Sequence, residues 1–566
     1  MPDTNITNVG YNGGHVIAEI LRRHGVRHIF GMDSPELLYQ ALDPAVTRAI
    51  TIRDERSGGF AADAIGRLTG RPSVACGIHG PGALNLLTPL LEAQAASSPL
   101  VVIVGDVDTS ERERNAFQEA DHVPIARPLT KWATRVDRPD RIAETVDRAL
   151  RIAVSGRPGP VLVAIPNDLL EAPQPPLPPA PAAVEGDDGR VLPSPKSIAA
   201  AARVLAGAKR PAILAGNGAR IAGAGEHVLA LAQHLAAPVA VTAMGRGVIP
   251  EDHYLFAGIS GALTNGAGGP GQVANEMLRE ADAILVIGSS LDGALTEGGK
   301  VFPPGAPIVH IDIDPNEIGH MHPATVGVVA DARTGTQALL SAVREQPARD
   351  TGPLREEIAG RWQPVRDFQS KVAASTASPL YAGRVYTELR DLMGPGTIFA
   401  ADASYSSIWS LSYMQLGKHF DSSVYGRAAG TLGFGFPAAI GARLTYPNKK
   451  VVAVCGDGGF GYSWQELETV KREKIAITCI VLNNGVLAYQ KHYARELGQA
   501  RWLDFADVRH DKLAEACGLR GALIDKPEDL GPAVKRAMAD DVTWVLDVRV
   551  DQESLPPALG SMQEPW

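Results

Sequence analysis

A chain of 566 residues is too long for one hydrophobic core, and its length predicts about three domains. Its 54 basic and 63 acidic residues give a formal charge of -9, which argues against nucleic acid or an anionic membrane as the main partner and favours a small-molecule enzyme. Cys76, Cys455, Cys479 and Cys517 are scattered and read as reduced thiols, and neither a signal-peptide pattern nor an apolar run of about 18 residues is present, so the expectation is a soluble, cytoplasmic protein.

From about Gly14 to Pro173, helical patterns alternate with the short apolar runs "HIFGM", "SVACGI", "LVVIVGDV" and "VLVAIP", the grammar of a mostly parallel sheet. The proline-rich "APQPPLPPAPAAVEGDDG" has no periodicity and reads as an extended connector. A second unit offers "PAILAG", "PVAVTA", "AILVIGSS" and "IVHIDID" as strands, and a third offers "TIFAADAS", two runs described below, and "WVLDVRV". The expected fold class is α/β with three domains, each a mainly parallel sheet flanked by helices. The expected boundaries are 1–172, a linker 173–195, 196–346, a linker 347–378, and 379–566.

In the third unit, "VVAVCGDGGFGYSWQELETVKREKIAITCIVLNNGVLAY" (Val451 to Tyr489) reads as strand, helix, strand. Such a crossover makes the strands parallel and opens both carboxyl ends on one edge, where open sheets bind ligands. Gly456 and Gly458 then permit close approach, Asp457 faces outward, and the Asn484 side-chain oxygen lies beside it. Magnesium prefers oxygen ligands and is commonly held by one or two carboxylates together with phosphates, which this set suits. A glycine-rich turn followed by a polar turn is the plain structural alternative, and the paired asparagines argue against it.

The GDG followed after 24 residues by NN resembles the diphosphate and metal motif of thiamine-diphosphate enzymes, and the resemblance extends over nearly the whole chain. It implies a pyrimidine-binding N-terminal domain, a central domain and a diphosphate-binding C-terminal domain, with thiamine diphosphate and Mg2+ as cofactors. Asp457, Asn484 and the backbone carbonyl of Val486 would hold the metal, and Gly458 and Gly459 would touch the diphosphate. "ITIRDERSGGFAADAIGRLTG" resembles the segment supplying the family's pyrimidine-binding carboxylate, which makes Glu55 the residue that exchanges a proton with the ring. Glu55 follows a short β-branched run and precedes an alanine- and glycine-rich helix, where the alternative is an acid in a helix's first turn.

The loops "GMDSPE", "IHGPGALN" and "ERNAFQEADHV" resemble the family's substrate-facing loops, with an intact FQE element at Phe117, Gln118 and Glu119. They imply catalytic roles for Gln118, His79 and Ser34, although a histidine beside glycine and proline is also a common turn residue. "GRAAGTLGFGFPAAIGA" resembles the segment whose backbone, Gly430 included, binds the aminopyrimidine while Leu432 wedges the cofactor into its bent form. In "ADASYSSIW", Tyr405 and Ser406 match diphosphate ligands.

The resemblance places the chain among acetolactate synthases, benzoylformate decarboxylases and oxalyl-CoA decarboxylases, with two departures from the first. Where acetolactate synthases carry an FDDR-like element, this chain has Leu291, Asp292, Gly293 and Ala294, and where they carry a tryptophan after NN it has Tyr493. A guanidinium clamp for a second 2-oxo acid is therefore missing. The expected activity is cleavage or formation of a carbon-carbon bond next to a carbonyl, on a 2-oxo acid, an aldehyde or an acyl thioester. The alternatives are a 2-hydroxyacyl-CoA lyase or oxalyl-CoA decarboxylase type of thioester lyase, an acetolactate synthase and, in another class, a flavin or nicotinamide oxidoreductase, which the missing GxGxxG spacing disfavours. "PIVHIDIDPNEIG" leaves room for FAD, ADP or coenzyme A in the central domain without favouring it. Because Glu55 and Asp457 lie in different units, the resemblance implies a homodimer or homotetramer.

Overall fold

The computed structural model describes residues 10–177, 189–417, 422–495 and 501–557, so residues 178–188 of the expected connector lie outside the described residues. Three six-stranded sheets run through these residues. The first contains β1 (His28–Gly31), β2 (Arg48–Thr51), β3 (Ser73–Gly77), β4 (Leu100–Asp106), β5 (Trp132–Arg135) and β6 (Val161–Pro166), in the order β2-β1-β3-β4-β6-β5. The second contains β7 (Pro211–Ala215), β8 (Val239–Val241), β9 (Phe256–Ile259), β10 (Ala283–Ile287), β11 (Ile308–Asp312) and β12 (Val326–Val329), in the order β12-β11-β10-β7-β8-β9. The third contains β13 (Thr397–Ala401), β14 (Ser422–Tyr425), β15 (Lys450–Gly456), β16 (Thr478–Asn483), β17 (Arg520–Ile524) and β18 (Trp544–Arg549), in the order β14-β13-β15-β16-β18-β17.

Every pairing between these strands is parallel. The first and third sheets therefore share one topology, and both reverse direction between their first and third strands. Ligands of open α/β sheets bind at such reversals, beyond the carboxyl ends of the strands. The interior strands of all three sheets are the apolar runs read from the sequence. The edge strands β5, β9, β12, β14 and β17 were not among those runs; most are only partly covered, and Trp132–Arg135 and Val326–Val329 are four-residue strands with one buried position each.

Two compact units result. One holds the first sheet together with residues 428–447 and 462–475 from the C-terminal third, and the other holds the second and third sheets. In the first unit Val16, Ile17, Leu21, Val101, Ile103, Val146, Leu150 and Val163 form one apolar core between sheet and helices. Helix Gly435–Thr445 packs there against helix Glu55–Thr69 so closely that a Cβ on Gly441 would stand 2.1 Å from the Ala61 carbonyl oxygen. In the second unit helix Gly352–Ala373 joins the shared core of its two sheets, with the Trp362 indole N–H donating to the Phe256 carbonyl at 3.1 Å. Among the described residues, no helix is long and apolar enough to cross a membrane.

A buried ion pair ties the second unit's two sheets. The Arg246 guanidinium donates to both Glu251 oxygens (2.8 and 2.7 Å), to the Met414 carbonyl (2.6 Å) and to the Tyr425 hydroxyl (2.8 Å), while Glu251 also accepts from the Leu416 N–H (2.9 Å). Both side chains are 1% exposed, so removing one partner leaves an uncompensated charge in the core. Arg246→Met is expected to destabilise the protein by about 3–5 kcal/mol in urea denaturation, and Arg246→Met with Glu251→Gln to recover part of that loss. Equal unfolding midpoints for Arg246→Met and wild type would contradict this.

Candidate active site

On the first sheet, β2, β1, β3 and β4 are neighbours, so the loops after them emerge side by side. Glu55 begins helix Glu55–Thr69, and the Asp54 side chain caps that helix by accepting from the Arg56 N–H at 2.8 Å. The Glu55 side chain is buried, its Oε2 accepts from the Asn85 amide at 3.0 Å, and its Oε1 lies 3.0 Å from where a Cβ on Gly82 would stand. Asn85 was not anticipated from the sequence. It closes the loop "IHGPGALN", and a buried carboxylate facing that loop needs a donor there.

Ser34, after β1, and His79, after β3, flank the reversal point and come together with a residue the sequence did not single out. The Ser34 Oγ, Asn167 Oδ1 and His79 Nδ1 lie 3.0, 3.5 and 3.9 Å from the point where a Cβ on Gly105 would stand. The His79 Nδ1 is buried without a hydrogen-bond partner. The adjacent Gly80 N–H donates to the Nε2 of buried His122 at 2.7 Å, which places the His122 proton on Nδ1. Burial lowers the His122 pKa, so the ring is a neutral prop for the His79–Gly80 turn. Gln118 is half-buried at φ +60°, and its backbone packs on Gly80.

A second acid lies near Glu55. Glu466 is buried, accepts from the Arg53 N–H at 3.1 and 3.2 Å and from the Thr469 hydroxyl at 2.6 Å, and burial pushes its pKa up to about 7. It anchors the turn that leads into Glu55. Gly430 and Leu432 lie in the same unit, Gly430 exposed at φ +75° and Leu432 half-buried.

On the third sheet, β13, β15 and β16 are neighbours, and the loops after them carry Tyr405 and Ser406, Asp457, and Asn484. Asp457 accepts from the Gly458 N–H (2.7 Å) and the Gly485 N–H (2.6 Å), and burial holds its carboxyl above the usual range against those two bonds. The two asparagines divide the work. Asn483 is buried and donates to Asp547 (2.9 Å) and the Val508 carbonyl (3.0 Å), whereas Asn484 stays half-exposed at the edge. Val486 bridges Asp504 through the bonds Leu487 N–H to Leu503 and Phe505 N–H to Gly485, a pairing that turns the Val486 carbonyl to the opposite side.

The remaining third-sheet residues are placed as follows. Helix Tyr405–Tyr413 begins at the end of β13, and the Ser406 Oγ lies 3.6 Å from where a Cβ on Gly456 would stand. The Tyr405 hydroxyl is hydrogen-bonded to His492 Nδ1 at 2.7 Å. A Cβ on Gly459 would stand 2.6 Å from an Asp402 oxygen, and one on Gly458 2.9 Å from the Leu487 side chain, so a larger residue at either position would have to displace that side chain. Among the described residues no three His, Cys, Asp or Glu side chains converge as a metal-binding group, and no lysine or arginine pairs with Asp457. The Asn484 side-chain oxygen accepts from the Val486 N–H at 3.3 Å. A buried carboxylate met by backbone N–H groups, on an edge that also carries an amide oxygen and an outward-turned carbonyl, fits a cation that also takes oxygens from a diphosphate.

On the second sheet, Leu291 is buried at φ +57°, and Asp292 accepts from the Ala294 N–H (2.9 Å) and Leu295 N–H (3.0 Å), which makes this stretch a capped turn. Where β7 and β10 meet, the Gly218 N–H donates to the Gly288 carbonyl at 2.9 Å, and Asp312 accepts from the Asp314 N–H at 2.9 Å.

Comparison with known proteins matches the thiamine pyrophosphate enzyme N-terminal TPP binding domain over residues 11–125, the central domain over 198–339 and the C-terminal TPP binding domain over 402–548. A probable acetolactate synthase large subunit of Methanocaldococcus jannaschii is 33% identical over 565 residues, covering 96% of this chain and 93% of the relative. Acetolactate synthase of Mycobacterium bovis is 32% identical, covering 96% and 88%. YdaP of Bacillus subtilis, whose name gives the cofactor and no reaction, is 28% identical, covering 97% and 93%. The chain belongs to the thiamine-pyrophosphate-dependent enzymes of the acetolactate synthase superfamily.

Proposed function

We propose that the protein uses thiamine diphosphate with Mg2+ to cleave or form a carbon-carbon bond next to a carbonyl, on a small 2-oxo acid, aldehyde or acyl thioester. The observation that supports this reading is the buried Asp457 carboxylate, which accepts from the Gly458 and Gly485 N–H groups at a sheet edge that also carries Asn484 and Val486. Bound thiamine diphosphate would supply the electron sink that such a reaction needs. The chain's own residues then have separable tasks. Asp457 would supply the negatively charged ligand for the metal, and the first turn of helix Tyr405–Tyr413 would present N–H groups to phosphate oxygens. Glu55, fixed by Asn85 and shielded from water, moves a proton at the pyrimidine ring. Ser34, His79 and Asn167 orient a carbonyl donor by hydrogen bonds, and Gln118, whose backbone packs on Gly80 next to His79, is assigned to the same task. Since Glu55 and Asp457 lie in different units, a homodimer or homotetramer that combines units from two protomers completes the site.

Glu55→Gln is expected to keep the fold and the calorimetric affinity for thiamine diphosphate with Mg2+ while lowering turnover at least ~100-fold. Unchanged turnover would remove Glu55 from the reaction. Asp457→Ala is expected to abolish measurable cofactor binding in the same calorimeter with the far-ultraviolet circular dichroism unaltered; wild-type affinity would refute the metal assignment.

The substrate reading rests on the turn at Leu291–Ala294, which offers no guanidinium to a second carboxylate. A donor other than a pair of 2-oxo acids is therefore favoured. Acetolactate formation is the second reading, favoured by the names of the relatives from Methanocaldococcus jannaschii and Mycobacterium bovis. A panel of 2-oxo acids, aldehydes and 2-hydroxyacyl thioesters, assayed for carbon dioxide and product, decides between them. The expected outcome is a rate with some other donor above that of acetolactate from pyruvate, and the reverse order establishes the second reading.

A further inference from the structure

Beneath the loop that carries Gly430 and Leu432 lies a carboxylate with no part in the reaction described so far. Glu92, on helix Leu87–Ala96, has its side chain fully buried. Its Oε1 accepts from the Ala428 N–H at 3.0 Å and from Arg67 at 3.2 Å. Its Oε2 accepts from the Ala429 N–H at 2.9 Å, the Thr431 hydroxyl at 2.9 Å and the Thr431 N–H at 3.4 Å. Three backbone N–H groups of one short loop thus converge on a single anion, the arrangement by which a backbone nest binds a phosphate, filled here by a side chain.

Arg67 links this clamp to the helix that begins at Glu55. It pairs with Asp63 through Nε at 3.0 Å and Nη2 at 2.5 Å, and its guanidinium lies 4.8 Å from the Phe434 ring centre. Two carboxylates and one guanidinium leave one net negative charge in a water-free place, and the loop's donors stabilise it. Only a group with two acceptor oxygens meets all five donors. A glutamine would turn an NH2 toward one set of N–H groups and leave them without partners.

We infer that Glu92 is a positioning residue: it turns the N–H groups of Ala428, Ala429 and Thr431 inward and thereby sets the loop that presents Gly430 and Leu432 to the cofactor. This rests on the proposed use of thiamine diphosphate. Glu92→Gln leaves the Asp63–Arg67 pair intact, so the fold has a balanced charge to retain.

Two measurements test the inference. Calorimetric titration with thiamine diphosphate and Mg2+ is expected to show a Kd at least ~10-fold weaker in Glu92→Gln, with kcat at saturating cofactor within about threefold of wild type and partial recovery in Glu92→Asp. Hydrogen exchange followed by mass spectrometry is expected to show lost protection at 428–431 with protection in β3 and β4 unchanged. A purely structural role would lower the urea midpoint and leave Kd and the kcat ratio where they were, and that result overturns the inference. Thr431→Val deletes one donor and keeps the carboxylate, so it serves if Glu92→Gln does not fold; wild-type Kd and wild-type exchange in that variant also overturn it. Failure of the wild-type protein to bind thiamine diphosphate would instead refute the proposed function, and exchange at 428–431 would still decide whether Glu92 holds the loop.

Discussion

A carboxylate stays charged outside water only where hydrogen-bond donors or a cation replace its hydration, and this chain buries carboxylates at the places where its backbone must be held. Glu92 gathers the loop at 428–431, Glu466 holds the turn before Glu55, and Glu251 with Arg246 joins two sheets. Asp547 takes the Asn483 amide and the His510 N–H, which fixes the end of β16. In each case the donors come from the protein. At Asp457 the donors are backbone N–H groups at a sheet edge beyond the strand ends, which makes this carboxylate the candidate for an outside cation.

Parallel pairing turns these local arrangements into one edge per sheet. The first and third sheets reverse at equivalent points, and the residues proposed for the chemistry lie beyond them: Ser34 and His79 on one sheet, Tyr405, Ser406 and Asp457 on the other. The second sheet has the same kind of reversal between β7 and β10, but glycine backbone packs across it. Topology supplies the place for a ligand, and only side chains and spare backbone groups decide whether the place is used.

Interior strands were legible in the sequence because both of their faces are covered and they must be apolar throughout. Edge strands such as Arg48–Thr51 and Ser422–Tyr425 have open positions and no such signature, and the first was noticed only as the run before Glu55. Within the site, the legible residues sit in glycine-rich loops close to a strand end. Asn85, Glu92, Asn167 and Glu466 were missed because each acts on a residue distant in sequence: Glu92 on 428–431, Glu466 on Arg53. A glutamate inside an amphipathic helix looks like a solvated one until the fold shows it without water. Gly458 and Gly459, read as contacts for a diphosphate, also lie close to the side chains of Leu487 and Asp402, a packing that the local sequence does not announce.

What distinguishes this chain within its superfamily is decided by a few side chains placed on a common frame. Asp292 is an exposed acid in an element where an arginine is expected, and its carboxylate caps its own turn and offers a second 2-oxo acid no cation. Ser34, His79 and Asn167 surround the missing side chain of Gly105, and any residue larger than glycine there would fill the space they share. A hydroxyl, an imidazole and an amide offer both donors and acceptors, the kind of set that the proposed carbonyl donor would use. Selectivity built this way depends on leaving polar groups unpaired when the wrong molecule enters, and the partnerless His79 Nδ1 is the atom through which that penalty would be felt.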